Sequence, residues 1–77
     1  MTTVIEVHGP NAEVEAKAIA AHYGVQCAPQ SDGLYWSIET NDALENALCI
    51  NEEEFYEALL EVEAATGVHI NPDDVEF

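Results

Sequence analysis

The sequence predicts a small α+β domain, an antiparallel or mixed sheet with two helices on one face. Three observations predict it. Two stretches carry apolar residues at helical spacing, and each is followed by a glycine, Gly24 or Gly67. Two others, residues 4–8 and 34–39, alternate with a period of two. The resulting order, β-α-β-β-(β)-α-β, fits one domain over residues 1–77, with a ferredoxin-like arrangement as the nearest named option.

In residues 4–8, Ile5 and Val7 alternate with Glu6 and His8, the pattern of a half-buried strand. Gly9-Pro10-Asn11 stops it, and Asn11 suits an N-cap. From 12 to 23, Ala12, Ala16, Ile19, Ala20 and Tyr23 share one helix face, and Gly24 closes the helix. Residues 25–28 read as a short strand. Pro29 to Gly33 form a turn cluster with an Asp-Gly hairpin signal. Residues 34–39 are the clearest strand, with Leu34, Trp36 and Ile38 on one side and Tyr35, Ser37 and Glu39 on the other. Residues 43–50 fit a strand or a short helix about equally. Asn51 opens the second helix with Glu54 in a capping pattern. Phe55, Ala58, Leu59, Val62, Ala65 and Thr66 form its apolar stripe, and Gly67 ends it. Residues 68–70 read as a last strand, Asn71 to Asp74 as a turn, and the remainder as a tail.

The charge is one-sided. Sixteen Asp and Glu face one Lys and no Arg, a net charge of −15 over 77 residues. A basic grip on nucleic acid is thereby excluded, and so is adhesion to an anionic membrane. The chain is no disordered acidic tail either, because its hydrophobic fraction is 48%. Area scaling for 8.4 kDa gives a folded surface of roughly 4,600 Å². Self-repulsion among carboxylates opposes that collapse. No run of residues is apolar enough for a signal peptide or a membrane span. Two cysteines, Cys27 and Cys49, without CxxC spacing, read as free thiols of a reducing, cytoplasmic compartment.

Catalytic chemistry is sparse. Phosphoryl transfer lacks a cation and a glycine-rich loop. Cys27 or Cys49 with His22 or His69 is read as a small thiol and a surface imidazole, not a nucleophilic pair. No calcium loop is present, Asn71 to Asp74 reads as a solvated turn, and His8, His22 and His69 lack zinc spacing. No enzyme activity, cofactor or metal is expected.

What remains is the carboxylates. On the second helix, Glu53, Glu57 and Glu61 follow i, i+4, i+8, an exposed ridge with members about 6 Å apart along the axis. Glu54 joins its flank, and Glu52, Glu53 and Glu54 also suit the positive end of the helix dipole. No cation alternates with them, so each i, i+4 pair costs about 0.2–0.5 kcal/mol. Glu13 and Glu15 of the first helix, with Glu6, Glu39 and Glu45, extend the negative field. Trp36 is assigned to the core, leaving Tyr35 and Tyr56 as aromatic anchors for an interface.

In size, in its 16-to-1 charge ratio and in the glutamate rows Glu52-Glu53-Glu54, Glu57 and Glu61, the chain resembles the small acidic DNA-mimic proteins of phages, notably the anti-CRISPR group. The resemblance is one of composition and implies a non-enzymatic, cytoplasmic inhibitor acting in the host cell. Its partner would be a basic nucleic-acid-binding protein, a CRISPR effector whose DNA or guide channel it blocks. Direct nucleic-acid binding is not expected, and pairing with a second copy stays open. Two other readings share the charge: an immunity or antitoxin protein covering a basic nuclease site, and an acidic structural domain from a high-salt organism. Against the last, Glu outnumbers Asp by 12 to 4.

Overall fold

The computed structural model describes residues 4–44 and 52–76. Strand β1 spans Val4–Val7 and helix α1 spans Ala12–Tyr23. Strand β2 is Cys27–Gln30 and β3 is Tyr35–Glu39. Helix α2 is Glu52–Thr66, and a final strand, β4, is Val75–Glu76. All strand pairs are antiparallel and the sheet order is β2-β3-β1-β4. A β-α-β-β-α-β chain with this order is a split β-α-β unit, the ferredoxin-like arrangement.

The register decides which side chains meet the helices. Ile5 pairs with Ile38 and Val7 with Trp36, and Val7 also faces Val75 of β4. Ile5, Val7 and Ile38 are fully buried, and Val75 is nearly so. They meet Ala12, Ala16, Ile19 and Ala20 of α1 and Phe55, Ala58, Leu59 and Val62 of α2. Leu44 joins the same core. The other sheet face carries Val4, Glu6, Tyr35, Ser37, Glu39 and Glu76, with none of the described helices over it. The total accessible surface is 4694 Å², so the charge does not prevent the burial expected for this size.

The two helices lie where their periodicity places them, and the glycines after them take left-handed φ, +69° at Gly24 and +77° at Gly67. Asn11 occupies the N-cap position of α1 without a capping side-chain hydrogen bond. Its carbonyl instead accepts from the Glu15 N–H at 3.0 Å.

Several strands differ from expectation. The second runs from Cys27 to Gln30, two residues later than predicted. Pro29 therefore belongs to the sheet, facing Trp36. It is tolerated because β2 is an edge strand that needs donors on one side only. The hairpin turn tightens into a 3-10 turn, Ser31–Gly33, with positive φ at Ser31 and Asp32. Leu34 falls outside β3 and is 75% exposed. Residues 68–70 form no strand. The last strand comes from the tail, which Asn71 redirects by accepting the Asp73 N–H at 3.0 Å. Residues 42–44 are helical, so the part of the ambiguous stretch that is described, 43 and 44, follows the helix alternative. Residues 45–50, Cys49 and the Asn51 cap lie outside the described residues. Cys27 is a free thiol. No helix among the described residues is long and apolar enough to cross a membrane.

Candidate functional site

The ridge follows from the way α2 buries its stripe. Phe55, Ala58, Leu59 and Val62 are buried together, so the opposite side of the helix must face solvent. Glu53, Glu57 and Glu61 are all exposed there, as is Glu54 on their flank. Glu52 begins the helix ahead of them. The last turn of α2 carries no basic residue, so the row is not neutralised along its own length. Glu61 faces the seam with α1, where its charge adds to burial in raising the Tyr23 hydroxyl pKa above its ordinary value. Tyr56, 45% exposed, and Leu60, 63% exposed, sit beside the row at a shallow apolar cleft with Leu59, Ile70 and Pro72. On that flank Glu63 is held by His69 Nδ1 at 2.7 Å.

Glu13 belongs to this field less completely. It accepts from Lys17 Nζ at 2.7 Å, and the ammonium also lies 5.4 Å from the Trp36 ring centroid. The carboxylate beside it holds Lys17 above its usual pKa. The only Lys or Arg of the chain is thus engaged within the molecule, between an anion and an aromatic face.

Glu15 does not belong to the field, contrary to expectation. It is 2% exposed. Helix geometry explains this. Glu15 lies three residues after Ala12 and four before Ile19, inside the buried stripe. Its Oε2 accepts the Asn71 N–H at 3.2 Å. Burial, then a hydrogen bond to the Asp74 side chain, push its pKa up to about 7. The helical spacing contained this signal, but the residue type masked it.

Tyr35 lies opposite Trp36 as expected, but away from α2. It lies on the helix-free face of the sheet, so it cannot share a contact with the α2 ridge. Its ring is stacked on His8, with centroids 4.9 Å apart and planes 16° from parallel. That face gathers Glu6, His8 and Glu76, a group that sequence reading did not assemble. The Glu6-x-His8 alternation was visible in the sequence, but the pairing of Glu76 with Glu6 depended on a strand placed in the tail. Glu39 lies on the same face, and Glu45 lies outside the described residues.

No family model, curated protein or solved structure matches the chain.

Proposed function

We propose that the chain is a non-enzymatic inhibitor that binds the cationic nucleic-acid-binding surface of a partner protein. The observation that carries the reading is the exposed row Glu53, Glu57 and Glu61, with Glu54 beside it, on a helix with no basic residue in its last turn. Carboxylates repeated about every 6 Å on a rigid cylinder offer a cationic groove a succession of anionic contacts, as a nucleic-acid backbone does. The field of a net charge of −15 would steer the encounter and make its rate fall with salt. Tyr56 with Leu60 supplies an apolar margin where a partner side chain can be desolvated. Glu13, neutralised by Lys17, adds little, and Glu15, being buried, contributes nothing to this contact.

The reading in its finer form is a phage anti-CRISPR protein that occupies the DNA or guide channel of a CRISPR effector. An immunity protein covering a basic nuclease would use the same surface. Fluorescent DNA bound to purified guide-loaded effectors, and separately to basic nucleases, distinguishes them. Displacement from an effector supports the finer form, and displacement from a nuclease replaces it with the immunity reading. Displacement should weaken as salt rises from about 50 to about 200 mM. A Glu53→Gln, Glu57→Gln, Glu61→Gln variant should lose it while keeping its fold. Full displacement by that variant, or none from any basic protein tested with the wild type, would overturn the proposal.

A further inference from the structure

Glu6, His8 and Glu76 meet on the helix-free face of the sheet. Glu6 and His8 project there from alternate positions at the β1 end, and Glu76 of β4 lies directly opposite Glu6. Two carboxylates facing each other across paired strands repel. The chain's one lysine is engaged elsewhere, with Glu13 and Trp36, and does not relieve them. His8 Nε2 lies 3.1 Å from Glu6 Oε1 and 3.6 Å from Glu76 Oε2. One ligand atom from each residue falls within 4.8 Å of the other two. In a tetrahedral zinc site with ligand bonds of about 2.0–2.1 Å, neighbouring ligand atoms are about 3.3–3.4 Å apart. The two separations from His8 Nε2 bracket that edge.

The mixed donor set separates this group from the acidic row on α2. An imidazole nitrogen with two carboxylate oxygens suits borderline divalent ions, whereas carboxylates alone favour calcium or magnesium. The ligands are also held in place. The His8 backbone N–H donates to the Asp74 carbonyl at 2.7 Å, pinning the residue where β1 meets β4. The stacked Tyr35 ring restricts rotation of the imidazole plane.

We propose that Glu6, His8 and Glu76 form a binding site for a divalent transition-metal ion of the zinc class, bridging β1 and the two-residue strand β4. Three protein ligands leave a fourth position for water. The ion would replace the cross-strand repulsion with a bridge and fasten the last strand to the sheet. The site is independent of the proposed inhibitory surface, because it lies on the opposite layer.

The molecule carries its own control. His69 and Glu63 form a second imidazole–carboxylate contact, at 2.7 Å, with no third ligand among the described residues. Zinc chloride is titrated into the full chain in excess magnesium, with histidine ring nitrogens followed by NMR. His8 should respond and saturate at one equivalent, with His22 and His69 responding only at higher zinc. Amide exchange at Val75 and Glu76 should slow in the same range. His8→Gln and Glu76→Gln should each weaken binding roughly tenfold or more and abolish the slowing, with core methyl spectra unchanged. The proposal is overturned if His8 and His69 respond together, if magnesium displaces the zinc, or if Glu76→Gln binds as tightly as the wild type. If Glu76→Gln perturbs the core spectra, the Tyr35→Leu variant decides: weakened zinc binding with an intact fold supports the site, and unchanged binding overturns it.

Discussion

The Oε2 atom of Glu15 accepts a hydrogen bond from the backbone N–H of Asn71, 3.2 Å away and 56 residues along the chain. A buried carboxyl on α1 thus anchors the segment that leads into β4. The same carboxyl hydrogen-bonds the Asp74 side chain, so two acidic groups share one partly dry place.

This arrangement makes stability depend on pH. Glu15 is raised from 4.5 to about 7 in the folded protein. The folded state therefore holds a proton that the unfolded chain has released between those values. The stabilisation is full below about pH 4.5 and is lost as pH rises through about 7. Glu15→Gln keeps an acceptor for Asn71 and a donor for Asp74 but never ionises. Urea melts at pH 4.5, 6 and 8 should show the wild type losing on the order of 1–3 kcal/mol relative to the variant. Parallel curves would mean that Glu15 titrates like an exposed carboxyl.

Gly9 approaches the same pair. Its φ is +98°, and a Cβ there would lie 2.9 Å from the Asp74 carboxylate atoms. Gly9→Ala should cost about 1–3 kcal/mol through backbone strain and displacement of Asp74. The displacement should also lower the Glu15 pKa, a shift that carboxyl NMR titration reads separately from stability. A destabilised variant with an unmoved Glu15 titration would separate the two sites.

Tyr23 gives a prediction of the opposite sign. Its hydroxyl is buried and has no hydrogen-bond partner among the described residues. Tyr23→Phe removes that group and keeps the ring. Thermal unfolding should show a protein as stable as the wild type or more so, by up to about 1 kcal/mol. A loss larger than that would reveal a partner for the hydroxyl.

The acidic row should trade stability against binding. Glu53, Glu57 and Glu61 repel along the helix, at about 0.2–0.5 kcal/mol for each of two i, i+4 steps. The triple Gln variant should therefore gain at most about 0.4–1 kcal/mol in a denaturant melt at low salt, offset in part by loss of the Glu53 charge from the positive end of the helix, while losing its displacement of DNA from the partner. Loss of stability together with binding would trace the defect to misfolding.

The two helices were legible because 3.6-residue periodicity and a closing glycine mark them independently of the rest of the fold. The row on α2 was legible for the same reason: once the stripe of Phe55, Leu59 and Val62 is fixed, Glu53 and Glu57 have one direction left. Glu15 was misplaced because charge outweighed its position in the stripe of Ala12 and Ile19. The last strand was missed because a two-residue pairing has no periodicity of its own. Its location depends on Asn71, the turn after it and an open edge of β1 68 to 70 residues away in sequence. Tyr35 was correctly assigned to the face opposite Trp36, but only strand order and helix placement show that this face is remote from α2. The group around His8 needed that same long-range pairing.

The proline in β2 affects how these molecules behave in a crowd. One margin of the sheet is interrupted where a donor would be required, and the other is a stub of two residues. Neither offers a rail along which an incoming chain could lay a strand of its own. Concentrated solutions should consequently hold separate, mutually repelling particles, and fibre growth by strand addition should be suppressed.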